Sequence, residues 1–486
     1  MANKKSLGKN TFYNTLKSVF SIIYPLITFP YISRVLMAEN VGKVNFGNSI
    51  ISYFTLAASL GVSTYAIREC AIVRDDRNKL SKTASEIYSI NIISTIVAYV
   101  GLAITLIFAH SLDNYRTLII IQSTTILFTS LGADWINTAM EDFRYITIRT
   151  VAMQLVALVL MFIFVRQPEH YIIYAVISVV SSSGANILNI FYRKKYCSIR
   201  FTRHMNAKKH LPSIIVLFSS MVAQTIYTNS DITMLGLMKG DYEVGLYSTD
   251  VKIYNLLNSI CASITWVVVP QLAEGFAKKD YDKVNSLLSY AANFLIVLGL
   301  PCLVGINVIT KSLIYLIAGE EYLPAAGALN ILSVSLFFSF ISGWMGNMIM
   351  TPAGRYNVSF RSSIVSALVN VLLNFVMIPK WGIYAAAFTT ATAELVGIFM
   401  KMPYVDKRIH LIKPFEMLKA PVVGSLLILV SGVFCNHFIN SYYMIAIVTV
   451  VCSSIVYLLV LLLMKDKFAF GLLNPILNKL KGRLKK

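Results

Sequence analysis

The chain is expected to be all-α, a polytopic membrane protein of about fourteen transmembrane helices. Three observations carry that expectation. Apolar stretches of about 20 residues, long enough to cross the ~30 Å hydrocarbon core as helices, recur between short charged gaps. Lys and Arg crowd into every second gap, which assigns those gaps to the cytoplasm. Finally, 56% of the 486 residues are hydrophobic and 14% charged, whereas about a quarter are charged in a soluble domain.

The first span, 11–33, follows Lys4, Lys5 and Lys9 and so resembles a signal peptide. It is too long, lacks a small-residue cleavage site and contains Pro25 and Pro30, so it reads as a permanent helix kinked at its prolines. The second, 45–67, opens after the Glu39-Asn40 turn and closes on Arg68-Glu69. Spans 86–109 and 117–137 flank a short gap holding Arg116. Asp134 and the stretch from Glu141 to Arg149 blur the boundary with the fifth span, 148–165. The sixth, 171–191, runs into the basic gap from Arg193 to Lys209. Spans 212–236 and 246–270 are joined by a polar turn from Lys239 to Glu243, and 287–309, 325–350, 359–378 and 383–403 follow. A last pair, 419–439 and 443–464, leads into the tail 465–486. There cations alternate with Phe468, Phe470, Leu473 and Ile476, which suits a solvated basic tail or one lying on an anionic leaflet.

Of the 43 Lys and Arg, only Arg34, Lys43, Arg116, Arg166, Lys239, Lys311 and Lys380 fall in the alternate, outer gaps. Lys17 and Lys252 fall within spans, and all the others lie on the inner side. Both termini are therefore expected in the cytoplasm, which requires an even helix count. The same placement argues against nucleic acid as the partner of a chain with net charge +20. The six cysteines share no metal-ligand spacing and offer no extracellular disulfide framework.

Val41-Gly42 after the first span returns as Val244-Gly245 after the seventh, each behind a short acidic outer turn. Parallel repeats of this kind build transporters around a central cavity. The expected division is an N-terminal lobe 1–211 and a C-terminal lobe 212–403, of six helices each, then accessory helices in 404–464 and the basic cytoplasmic tail 465–486.

No nucleotide-binding signature and no clustered His/Cys site is present, so no cofactor and no metal are expected. No gap exceeds about 20 residues, too short for a nucleotide domain, so transport would run on gradients or downhill. Ionisable residues inside spans are expensive and point to function by default. These are Lys17, Asp134, Asp231, Asp250, Lys252 and Glu394, with Arg34 at the outer end of the first span. Lys17 and Lys252 suit an anionic group such as a phosphate, or else snorkel to the interface. Asp231 or Asp250 could pair with Lys252, as a static bridge or as a cation site or gate. Glu394 could be a coupling carboxyl or a neutral structural one. Arg68, Glu69, Glu141, Asp142 and Arg144 flank cytoplasmic ends as inner gate bridges or as solvated loop charge. Tyr227, Asn229, Tyr254 and Asn255 suit a sugar-facing cavity or plain interhelical hydrogen bonding.

Pro30-Tyr-Ile-Ser-Arg-Val-Leu36 followed by Val41-Gly42-Lys43-Val44-Asn45-Phe46 resembles the opening of Wzx-type bacterial polysaccharide flippases. Gly61-Val62-Ser63 leading to Arg68-Glu69, and Asp134-Trp135 followed by Glu141-Asp142-Phe143-Arg144, add to the likeness. The motifs cover the N-terminal lobe, and the helix pattern covers the whole chain. The resemblance implies the MOP exporter superfamily, with MATE drug antiporters and the MurJ lipid II flippase as relatives. It implies a non-enzymatic carrier of undecaprenyl-diphosphate-linked oligosaccharide, moving it from inner to outer leaflet of the bacterial cytoplasmic membrane by alternating access. Polysaccharide polymerase and chain-length proteins are the implied partners. Lys17, Arg34 and Lys252 become the cations facing the diphosphate, and the last two helices a groove for the lipid tail. The alternative is a MATE-like cation-coupled antiporter using Asp231, Asp250 or Glu394. A polymerase would need a larger outer loop than any here.

Overall fold

The computed structural model describes residues 7–466 and Gly471, and among them every regular element is a helix. The chain runs α1 (Leu7–Ser59), α2 (Val62–Ile72), α3 (Arg77–Phe108), α4 (Arg116–Gly132), the short α5 (Trp135–Ala139), α6 (Phe143–Phe164), α7 (Tyr171–Tyr192) and α8 (Ala207–Met238). It continues through α9 (Asp241–Lys278), α10 (Tyr281–Ile317), α11 (Ala326–Gly343), α12 (Tyr356–Lys401), α13 (Pro414–Phe438) and α14 (Tyr442–Leu463). Among the described residues, ten helical segments are long and apolar enough to cross a membrane. An eleventh is added if the bent pair Asp241–Ile260 and Ser263–Lys278 counts as one span. The basic tail from 467 onward, Gly471 apart, lies outside the described residues, as do Lys4 and Lys5.

The helices turn large apolar side chains outward and bury polar side chains among the apolar ones inside. On α3, Asn91, Ser94 and Thr95 are buried, whereas Ile93, Ile96, Val97, Val100 and Ile104 are exposed at helical spacing. Such an inversion is stable only where the surroundings are themselves apolar. The polar groups meet partners in the interior: Asn91 Nδ2 and Ser94 Oγ donate to the Ala58 carbonyl at 2.8 and 2.5 Å.

The helices break at recognisable backbone devices, two in expected gaps and two inside expected spans. α1 carries Pro25 and Pro30 within its helix, and its non-helical residue is Met37 (φ 65°, ψ 169°), in the gap expected between the first two spans. The second span stops at Ser59, turns through Leu60 and Gly61 at positive φ, and resumes as α2. The fourth is cut at Ala133 (φ 46°), and α12 breaks at Gly382 (φ 52°, ψ −128°). Beyond α11 the chain winds as a π-helix over Trp344–Met350.

Contacts divide the chain into two compact units, Met1–Gly245 and Leu246–Lys486. In the first, α1 packs against α3, α4, α6 and α8. A buried cluster including Tyr65, Leu80, Ile87, Trp135, Ile136 and Ile214 lies beneath α2. In the second, α13 and α14 pack on each other and on α10. Tyr457 Oη donates to the Val297 carbonyl at 2.7 Å, and Asn436 Nδ2 donates to that of Val308 at 2.9 Å.

A loop-fastening device occurs once in each unit. After α7 the extended chain returns along α3, where the amides of Ser198, Arg200 and Thr202 donate to Ser81, Ser85 and Ser89 Oγ at 3.1, 3.1 and 2.8 Å. Four helical residues rise about 6.0 Å and two extended residues about 6.6 Å, so every second loop amide meets every fourth helical side chain. After α12 the amides of His410 and Ile412 donate likewise to Asn285 Oδ1 and Ser289 Oγ on α10, at 3.2 and 2.8 Å. The two receiving helices start alike. Asp76 caps the Asn78 and Lys79 amides, and Asp280 caps that of Lys283.

Candidate functional site

In the first unit two polar networks form, and of the side chains expected to carry chemistry they include Asp134 and Asp142. Where α4 ends, Gly132, Ala133 and Asp134 turn the chain into α5, and Asp134 accepts a hydrogen bond from Arg149 of α6. The Arg149 side chain is 3% exposed and that of Asp134 38%. Arg149 Nη1 also donates to the Ala185 carbonyl at 3.2 Å, and its guanidinium lies 5.2 Å from the Tyr145 ring centroid. Asn137 donates to Asn189 Oδ1 at 2.5 Å, and Asn189 Nδ2 to the Gly132 carbonyl at 2.8 Å, tying α5 to α7. Below them Tyr145 and Tyr192 stack at 3.4 Å, and both Tyr192 and Tyr196 donate to Asp142 Oδ2. Burial, reinforced by the Asp142 carboxylate, holds the Tyr196 phenol above its usual range. Arg149 is the charged member of this network that sequence reasoning passed over, because its partner lies across a turn at no helical spacing. Arg144 is exposed and Glu141 pairs with Arg74 at 2.6 Å.

A second buried network ties α8 to α2 and α3. Tyr65 Oη lies 2.8 Å from His210 Nδ1, and His210 Nε2 lies 3.0 Å from Glu86 Oε2. All three are buried, His210 completely. Arg68 and Glu69 face each other at 3.9 Å, with Arg68 largely in the open.

At the other end of the unit the two repeated glycines meet neighbouring backbone. A Cβ on Gly42 would fall on the Asp241 carbonyl, and one on Gly245 on the Ala38 carbonyl. The contacts are reciprocal, each pairing a glycine with the residue four before its counterpart, so only hydrogen fits at either position. Nearby, Tyr115 Oη donates to Asp241 Oδ1 at 2.7 Å.

Lys17 is half-buried on α1, and Arg34 is exposed, donating to the Pro30 carbonyl at 2.7 Å. On α8, Asp231 is buried, and Asn229 Nδ2 donates to the Thr225 carbonyl at 3.0 Å. Thr233 Oγ1 bonds Ser49 at 3.0 Å and lies 3.2 Å from Tyr53 Oη. In the second unit Asp250 is completely buried, and neither carboxylate oxygen meets a hydrogen-bond partner among the described residues. Asp250 therefore does not pair with Lys252; residues two apart on a helix point to different sides. Lys252 and Tyr254 are half-buried and Asn255 exposed. Glu394 is half-buried on α12. Two turns on, Lys401 is buried and donates to Ser342 Oγ and O at 2.7 and 3.1 Å, a buried cation that the charge pattern assigned only to the inner side.

A family model described as polysaccharide biosynthesis protein matches residues 7–276, and the MatE model matches 217–376. A putative O-antigen transporter of Escherichia coli K12 is 24% identical, covering 83% of this chain and 97% of that one. The capsular polysaccharide biosynthesis protein CapF of Staphylococcus aureus is 25% identical, over 82% and 99%. Among solved structures, the lipid II flippase MurJ in an inward closed conformation superposes with a TM-score of 0.75 at 14% identity, covering 96% of this chain and all of the other. An inward-facing MATE-family multidrug transporter of the MOP superfamily gives 0.58 at 16% identity, over 78% and 93%. These likenesses carry the fold.

Proposed function

This chain belongs to the polysaccharide biosynthesis protein family of the MOP superfamily, and from that premise we propose that it is a flippase for lipid-linked oligosaccharide. It moves undecaprenyl-diphosphate-linked repeat units from the inner to the outer leaflet of the bacterial cytoplasmic membrane by alternating access, for O-antigen, capsule or exopolysaccharide. One observation carries the reading: relatives matched over nearly their whole lengths are named for O-antigen transport and capsule synthesis. The polar side chains buried behind an apolar exterior support it, since only the head group needs a hydrophilic path while the lipid tail stays in the bilayer.

Lys17, Arg34 and Lys252 are the cations proposed to meet the diphosphate, with Tyr227, Asn229, Tyr254 and Asn255 toward the sugars. Asp231, Asp250 and Glu394 are the proposed coupling groups. Arg68, Glu69, Asp134 and Arg144 are proposed to gate the cytoplasmic end, together with Arg149. The two six-helix lobes are supported by the loop-fastening device and Asp cap found on both α3 and α10. Fourteen spans follow if α1 and α12 each count twice, across Met37 and Gly382, and α4 and the bent α9 once each. That count is even and keeps both termini in the cytoplasm. Polymerase and chain-length proteins are proposed as partners downstream.

A second reading, a cation-coupled antiporter, is favoured by the buried Asp250 carboxylate, which meets no hydrogen-bond partner among the described residues. Deleting the gene and following the lipid-linked glycan by leaflet separates the two. The flippase reading expects glycan trapped on the inner leaflet. Normal arrival at the outer leaflet, with a small cation retained in the cell instead, would sink it.

A further inference from the structure

Where α7 ends, the chain turns back through residues 193–206, and a cavity of about 420 Å³ opens against the turn. Ile190, Arg193, Lys194, Cys197, Ile199 and Arg200 line it, bringing three cations and no carboxylate. Arg193 is only 8% exposed. Its guanidinium lies 5.0 Å from the Tyr88 ring centroid, yet its Nη1 is buried without a hydrogen-bond partner among the described residues. A solvated basic loop would leave this side chain in water. A buried donor left unmet is costly, and native structures keep one where something else supplies an acceptor.

The surroundings are prepared for such an acceptor. Arg77 of α3 reaches the same corner and donates to the Lys194 carbonyl at 3.2 Å. Burial pushes the Cys197 thiol up to about 11 in spite of the Arg193 and Arg77 guanidiniums beside it. The wall formed by residues 198–202 is fixed by its bonds to Ser81, Ser85 and Ser89. On the membrane side, Leu188 and Phe191 of α7 are exposed, with Lys194 Nζ 5.6 Å from the Phe191 centroid. An apolar track therefore leads from the spanning part of α7 to the cationic cavity.

We propose that this cavity is a phosphate site occupied by the headgroup of an anionic phospholipid, whose acyl chains lie along Leu188 and Phe191. Arg193 supplies the buried, geometrically fixed donor, and Lys194 and Arg200 add charge at the rim. The site is independent of the glycan path.

The test uses the full-length chain in mixed micelles, with retained phosphatidylglycerol and phosphatidylcholine measured by native mass spectrometry. A parallel phosphorus NMR titration uses inorganic phosphate alone. Phosphatidylglycerol should be retained in preference to phosphatidylcholine, and Arg193→Gln should weaken it about tenfold. Arg200→Gln, on the exposed rim and so harmless to folding, should weaken it about threefold, and Lys239→Gln should leave it unchanged. Undiminished phosphatidylglycerol retention in Arg200→Gln and in folded Arg193→Gln overturns the proposal. Inorganic phosphate bound and lost in the same variants, without any phospholipid preference, overturns the lipid source and leaves a site for free phosphate.

Discussion

A single methyl group probes the crossing of α1 and α9. Gly42→Ala or Gly245→Ala drives a Cβ into a backbone carbonyl, which cannot rotate away, whereas Gly305→Ala on α10 meets open space. Each crossing variant is expected to lose about 3 kcal/mol, and Gly305→Ala nothing or a slight gain. Thermal melting of the detergent-solubilised chain measures this, and a Gly245→Ala protein as stable as Gly305→Ala would contradict the reciprocal contact. The Asp134–Arg149 pair makes a second, asymmetric prediction. Asp134→Ala strands a buried guanidinium and should cost about 3–5 kcal/mol, while Arg149→Ala leaves a carboxylate that is 38% exposed and can be hydrated. Equal losses in the two variants would argue against a buried Arg149. The glycine repeat was legible as a motif because it stands at matching places in the chain. Its cause was not, since no spacing reveals that each glycine abuts the other's helix. Arg149 was invisible for the same reason.

At the scale of elements, helix starts were misplaced where caps lie outside the apolar run. α3 begins at Arg77, nine residues before the hydrophobic stretch suggests, because Asp76 caps it and its first turns are mostly polar around the buried Leu80 and Ala84. Breaks inside spans were hidden as well. Leu60 and Ala133 differ little in hydropathy from their apolar neighbours, and it is backbone geometry that interrupts the helices there, whereas Met37 and Gly382 fall in the gaps that the charge pattern leaves between spans. The serine ladder on α3 is testable by itself. Ser85→Ala removes the acceptor for the Arg200 amide, worth about 1 kcal/mol locally. Hydrogen exchange should show faster exchange at residues 198–202 with the global melting temperature unmoved. Unchanged protection there would mean that the loop is held by other means.

For the whole molecule, Lys252→Ala with intact expression should reduce glycan export at least several-fold, as read by surface polysaccharide per unit of membrane protein. The loss follows if a cation that meets a diphosphate contributes a charge-assisted bond. Undiminished export would remove Lys252 from the proposed diphosphate path. The sequence by itself determined the all-helical membrane class and the family, because a bilayer imposes length and apolarity on each span one segment at a time. Those constraints are local, so they are written locally. Only the tertiary structure decided which charges are buried, which carboxylate lacks a partner and which glycines touch backbone. Each of those is a relation between segments far apart in the chain, settled by packing and carried by no single stretch of residues.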